Sequence, residues 1–271
     1  MCSIFGLGFQ KGHKVKDVKA VKDIMAGLLI AGQSRGSDAA GVAVTSAKKI
    51  IVLKDPITGT QLSKSDGFER LFSNDVKMDT PNASSPSPST LSILGHCRAQ
   101  TQGTYMNNDN NHPIVADKVV GVHNGMISND YNLFQIFPEM NRKAEVDSEV
   151  IFRLMSLCID KGKSIQEAVQ IAAKQLTGWF ACAAVSKTNP YTMWLFRDRT
   201  PIVVHHYKQV GLIAFATAKN MIDDAFKHQS FGQPTTIVIP QESGMGIDLW
   251  SGDFTKFEFG GDLTMAKGKI H

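Results

Sequence analysis

Five strand-like runs crowd the last third of the chain: GWFACAAVS, TMWLFRD, TPIVVHHY, GLIAFAT and TTIVIP, between residues 178 and 240. Strands this close together, joined by short polar or glycine-bearing turns, pair as antiparallel sheets. A buried strand, SIFGLGF, opens the chain at 3–9, and a helix is expected over roughly 16–31, where Val18, Val21, Ile24, Met25, Leu28 and Leu29 recur at helical spacing. SRGSDAAGVAV (34–44) reads as a turn into a strand with KKIIVLKD (48–55) as its hairpin partner, and LSILGHCRA (91–99) as a further strand. VVGVH and MIS flank Asn-Gly at 124–125, the strongest short signal for a tight hairpin turn. Two helices should follow, one capped by Asp147 and one opening on the capping box S-I-Q-E at 164–167. A short helix should follow Lys219. The pattern predicts α+β layers built on antiparallel sheets.

Composition closes off several classes. The 271 residues carry 29 Lys and Arg against 25 Asp and Glu, too small an excess to predict a nucleic-acid surface, and no basic run interleaves with aromatics. The longest apolar run, near MAGLLIAG at 25–32, falls well short of the ~20 residues that span a bilayer. With no signal-peptide pattern, the cytoplasm is the expected compartment. Cys2, Cys97, Cys158 and Cys182 are too widely spaced for a zinc motif, so free thiols, mostly buried, are expected, with no metal and no cofactor. The Pro- and Ser-rich stretch at 76–90 is expected to be a flexible surface loop.

Several short stretches could carry chemistry, each with an ordinary structural reading beside it: a buried strand thiol for Cys2, a hairpin turn at Asn124–Gly125, a solvated arginine at Arg98 and a helix cap at Asp147. Removal of Met1 would give Cys2 a free α-amine whose pKa, about 7.7–8.0 when unperturbed, suits it to deprotonate its own thiol. The Asn124 amide and the Gly125 N–H could together hold an oxyanion. Arg98 can clamp a carboxylate, and Asp147 can receive an ammonium, so the pair would grip both ends of an α-amino acid. Arg35 and Asp38 are expected to form an ion pair bracing a turn. His96 and His123 read as structural hydrogen-bonders.

In order, M-C-x-I-x-G, RG-x-D-x-AG, GH-x-R-x-x-T-x-G, N-x-HP, HNG, DSE and GWFACAAV closely resemble the class II glutamine amidotransferase domain of the N-terminal nucleophile (Ntn) hydrolases. The resemblance runs from Cys2 to about residue 200, with weaker echoes at 197–204 and 213–222. It implies a four-layer αββα sandwich over one domain, 1–271, and L-glutamine as substrate. It implies Cys2 as nucleophile, its α-amine as base, and Asn124 and Gly125 as the oxyanion hole. Arg98 would hold the substrate carboxylate and Asp147 its ammonium. Thr101 and Gln102 would line the pocket, and Arg35 would lie near the nucleophile. Ammonia is expected to pass to a synthase on a separate polypeptide. Ser3 and Ala99–Gln100 depart from the family pattern. An Ntn amidase acting on another amide, and a subunit that binds or regulates without catalysis, remain as alternatives.

Overall fold

The computed structural model describes residues 2–78 and 89–260. Its elements, in order, are β1 (Ser3–Phe9), α1 (Val18–Gln33), β2 (Ala39–Ser46), β3 (Ile50–Asp55), α2 (Gly59–Ser63), α3 (Asp66–Arg70), β4 (Thr90–Arg98), β5 (Ile114–Ala116), β6 (Val119–Ile127), α4 (Asp130–Ile136), α5 (Glu149–Asp160), α6 (Ile165–Gln175), β7 (Gly178–Ser186), β8 (Thr192–Arg197), β9 (Val203–Tyr207), β10 (Leu212–Ala216), α7 (Lys219–Phe226), β11 (Thr235–Val238), β12 (Ser243–Asp248) and β13 (Phe254–Glu258). They build two sheets. One has seven strands in the order β11-β9-β10-β1-β4-β2-β3, the other six in the order β13-β12-β8-β7-β6-β5. Every pairing is antiparallel.

The two-residue alternation of the strands sorts the core into three apolar layers. Phe5, Leu7 and Phe9 of β1 meet Val21, Ile24, Met25, Leu28 and Leu29 of α1 and Met221 and Ile222 of α7. Phe180, Cys182 and Ala184 of β7 meet α5 and α6 through Phe152, Met155, Val169 and Ala172. Between the sheets, Ile4, Leu94, Val120, Val122, Ala181, Ala183, Ile213 and Phe215 interlock. Helices therefore cover the outer faces of two packed sheets, the expected four-layer αββα sandwich. Full burial of each large apolar side chain contributes about 1.5–3 kcal/mol, so the face of α1 alone outweighs its modest helix propensity.

Three local expectations are corrected. HNG is not a hairpin turn: β6 runs unbroken through it, and its partner is β7, with Asn124 opposite Ala181 and Gly125 opposite Phe180. The glycine is needed for another reason. Gly125 has φ +153°, and a Cβ there would lie 2.0 Å from the Trp179 carbonyl oxygen. Asp147 does not cap α5; that position belongs to Ser148. Arg35 and Asp38 do not pair, since Asp38 accepts the Gln100 N–H at 2.7 Å and Arg35 turns to the Cys2 carbonyl. Only the ends of the 76–90 stretch are described. Val76 and Met78 are buried, and Thr90 N–H donates to the Lys77 carbonyl at 2.8 Å, while 79–88 lie outside the described residues. Two strands that the sequence reading left unassigned, β12 and β13, extend the six-stranded sheet.

Candidate active site

Strand alternation gathers the chemistry at one end of the gap between the sheets. On β1, Ile4 faces the opposite sheet and Phe5 faces α1, so Cys2 falls on the inner side. On β4, Leu94 is inner, which puts His96 and Arg98 on the same side. Ser3 pairs with Cys97 across the ladder, so Cys2 comes beside Arg98. On β6, Val120 and Val122 are inner, and Asn124 follows them. Three residues far apart in sequence therefore face one region because each shares the parity of its strand's inner row.

The Cys2 thiol sits between both backbone groups of Ala99. Its Sγ lies 3.4 Å from the Ala99 N–H donor and 3.5 Å from the Ala99 carbonyl oxygen. Burial pushes the thiol pKa up, the Ala99 N–H and the Arg98 charge pull it down, and Asp147 pushes it up. Cys97, one residue out of parity, faces the α1 layer instead. It contacts the Leu29 carbonyl at 3.4 Å, and burial raises its pKa to about 12. Cys158 and Cys182 are also buried, with raised pKa values. The Ser3 departure is absorbed by α1: its hydroxyl donates to the Gly32 carbonyl at 3.1 Å, away from Cys2.

Arg98 is buried and held by three acceptors: Asn111 Oδ1 at 2.8 Å and the Gln102 and Gly103 carbonyls, each at 2.7 Å. These occupy three of its five N–H groups. Gln102 thus works through its backbone, and its side-chain amide points elsewhere, to Asp130 at 3.1 Å and the Glu145 carbonyl at 2.9 Å. Thr101 is exposed. Arg35 Nε donates to the Cys2 carbonyl at 3.3 Å, bracing the start of β1.

Thr217, which the sequence reading did not single out, joins the two sheets here. Its Oγ1 accepts from the Ile4 N–H at 3.0 Å and from Asn124 Nδ2 at 3.4 Å, and its own N–H donates to the Ile4 carbonyl at 2.9 Å. No local motif announces it, because its role depends on two strands that meet only in the fold.

Along β6 a second row forms on the side away from β7. The His123 carbonyl accepts from His96 Nε2 at 2.9 Å, and the Ile127 N–H donates to Asp147 Oδ2 at 2.7 Å. Gly125 lies midway, and the alternation turns its N–H the same way. Asp147 is 3 % exposed and forms no ion pair among the described residues. A buried carboxylate without a paired cation is costly to hold ionised. Beneath it, His96 and His112 stack with ring centroids 4.1 Å apart, and His112 and His123 lie 6.5 Å apart. Burial keeps all three neutral, with His96 lowered to about 3. Among the described residues no cluster of His, Cys, Asp and Glu could hold a metal.

This arrangement can present a thiol, a cationic clamp, an anionic acceptor and two N–H donors to one small amide. Comparison with known proteins points the same way. Residues 96–224 match the family model of the glutamine amidotransferase domain. The glutamine–fructose-6-phosphate aminotransferase of Chlamydia pneumoniae is 29% identical over 226 residues, covering 79% of this chain and 32% of that protein. The Vibrio cholerae enzyme of the same name is 28% identical, covering 75% of this chain and 30% of its own length. The chain thus spans about a third of these relatives. The glutamine phosphoribosylpyrophosphate amidotransferase of B. subtilis superposes with a TM-score of 0.66 at 16% identity, covering 96% of this chain and 50% of that one. A structure described as the allosteric regulatory enzyme of purine biosynthesis superposes with a TM-score of 0.69, also at 16% identity and with the same coverage of both chains. The sequence match to the aminotransferases and the shared sandwich make the chain similar to glutamine amidotransferase domains.

Proposed function

We propose that this domain hydrolyses the side-chain amide of L-glutamine through a Cys2 thioester and delivers the ammonia to a separate synthase. The observation that carries the reading is the buried, cation-free carboxylate of Asp147 acting on the same thiol as the buried guanidinium of Arg98. A zwitterionic amino acid answers both charges at once, whereas a neutral acyl amide would leave each unmet.

In this scheme Met1 is removed and the neutral α-amine of Cys2 takes the thiol proton. The thiolate attacks the amide carbon, and the oxyanion draws on Asn124 Nδ2 and the Gly125 N–H. The α-ammonium returns the proton to the leaving nitrogen, ammonia departs, and water cleaves the thioester to glutamate. Arg98 and Asp147 hold the substrate's carboxylate and ammonium throughout. Free ammonia is mostly ammonium at neutral pH and a poor nucleophile, so a docked acceptor enzyme suits the chemistry. Arg35 fixes the Cys2 backbone, and the Gln102 carbonyl fixes Arg98.

Intact mass spectrometry followed by a glutaminase assay tests the scheme. Expected are loss of one methionine, one adduct of a glutamine-analogue electrophile at Cys2, and glutamate release that a cognate acceptor stimulates. Turnover by a chain that keeps Met1 would remove the α-amine from its role. No glutamate release from a processed chain, with or without an acceptor, would sink the reading.

A further inference from the structure

The serine beside the proposed ammonium acceptor is placed as a helix cap and does not cap. Ser148 occupies the N-cap of α5, yet its hydroxyl makes no bond to the first turn. An N-cap serine usually accepts an N–H there, and its loss costs about 1 kcal/mol. Here the hydroxyl runs sideways. It lies 2.7 Å from His123 Nδ1 and 3.4 Å from Asp147 Oδ1. Ser148 and His123 are both buried.

We propose that Ser148 and His123 are positioning residues for Asp147, forming a buried imidazole–hydroxyl–carboxylate chain that aims its unfilled lone pairs at the α-ammonium of the substrate. The inference rests on the reading of Asp147 given above. The carboxylate's two oxygens have different partners. Oδ2 is fixed by the Ile127 N–H at 2.7 Å and Oδ1 by the serine hydroxyl, so each oxygen keeps a lone pair with which to receive an ammonium. Ser148 has one hydroxyl proton, and the adjacent negative charge draws it toward Oδ1. His123 Nδ1 then carries the ring proton and donates to the serine oxygen, and Nε2 is left as a bare acceptor. That nitrogen has no hydrogen-bond partner among the described residues. It lies behind Gly125, where a Cβ would come within 2.8 Å of it. The longer serine–aspartate leg is of the kind that tightens around a bound substrate. The two residues are carried by β6 and by the start of α5, so the chain ties the orientation of Asp147 to the strand that holds Asn124 and Gly125.

The test compares steady-state hydrolysis of glutamine with that of 4-carbamoylbutanoate, which is glutamine without its α-amine. Ser148→Ala should raise the KM for glutamine by about tenfold, the loss expected for one hydrogen bond to a charged group, with kcat within about twofold. The KM for 4-carbamoylbutanoate should not move. Ser148→Thr, which restores the hydroxyl, should return the glutamine KM toward its original value. Should Ser148→Ala not fold, Ser148→Gly serves in its place, because glycine is well tolerated at an N-cap. An unchanged glutamine KM in these variants, or an equal rise for both substrates, overturns the inference. Asp147→Asn separates the two layers. If it raises the glutamine KM while Ser148→Ala does not, only the positioning role fails. If it leaves that KM unchanged, the ammonium reading fails and takes this one with it.

Discussion

Two helices lie side by side on the outer face of the six-stranded sheet, α5 and α6, and each starts behind a serine. At α6, Ser164 and Glu167 satisfy each other's backbone: Ser164 Oγ accepts the Glu167 N–H at 3.2 Å and the Glu167 carboxylate accepts the Ser164 N–H at 2.8 Å. That start is exposed and complete within four residues. At α5 the N-cap serine makes no bond to its own first turn. Ser148 turns to His123 and Asp147, and Glu149 accepts the N–H groups of Lys143 and Ala144 and pairs with Arg153 at 3.0 Å. One helix start is closed by its own sequence, the other by partners from β6 and from the segment before it. Polar groups withdrawn from local duty, and buried, mark where the chemistry is.

Acid should break this comparison most strongly. His96, His112 and His123 are held neutral by burial, with Arg98 and Lys54 also opposing charge at His112 and Asp147 favouring it at His123. Their folded pKa values lie below the ordinary imidazole value of about 6.5, so the unfolded chain binds protons the native one refuses. Stability is therefore full above about pH 6.5 and is lost as pH falls toward the folded values, at about 1.4 kcal/mol per pH unit for each imidazole. His96, lowered to about 3, alone gives that slope between about pH 6 and about pH 4, and His112 and His123 add to it in the same direction. Urea midpoints at pH 7, 6 and 5 measure it, and amide exchange should show α5 opening before α6. A flat profile, or α6 opening first, would show that the histidine cluster does not anchor the α5 end.

Asn124→Ala is expected to come next in size. Loss of one oxyanion donor commonly costs 10²–10³ in kcat, about 2.7–4 kcal/mol. Exchange rates at both helix starts should stay as they are, because Asn124 faces the inter-sheet layer and bonds Thr217, not α5. A fall in kcat of less than tenfold would take the side-chain amide out of the oxyanion hole and leave the Gly125 N–H alone there.

What could be read from the sequence divides along the same line. Continuously apolar strands, such as β1 and β7, and helices with local signals, such as α1 and α6, were legible because a few neighbouring residues decide them. HNG misled because Asn-Gly signals a turn only when its flanks pair with each other. Here β7 supplies the partner, and the glycine answers the Trp179 carbonyl instead. Asp147 read as a cap for a similar reason: acidic residues before a helix usually cap, and only the fold brings the Ile127 N–H to it. Arg35 and Asp38, three residues apart, looked like a pair, but the start of β1 and the turn after β4 each offered one of them a backbone partner. Thr217 and β12–β13 carried no local pattern strong enough to assign. Local rules thus located the elements and named the side chains that could do chemistry, while long-range pairing decided which of them bond to one another.

The smallest effect belongs to the other serine. Ser164→Ala removes a capping-box hydroxyl from an exposed helix start that touches no site residue, so it should cost about 0.5–2 kcal/mol of stability and nothing in glutamine hydrolysis. The loss should appear as a lowered urea midpoint with an unchanged slope, since the surface exposed on unfolding is the same. Set against Ser148→Ala, it gives a crossed pair of variants. One serine should move stability and spare KM, and the other should move KM for the amine-bearing substrate. Equal effects of both on stability, with none on KM, would mean that the buried serine is an ordinary cap whose hydroxyl rotates back to the first turn in solution. A change in KM on Ser164→Ala would instead mean that α6 transmits to the Asp147 region through its packing on α5, and that the two helix starts are not independent.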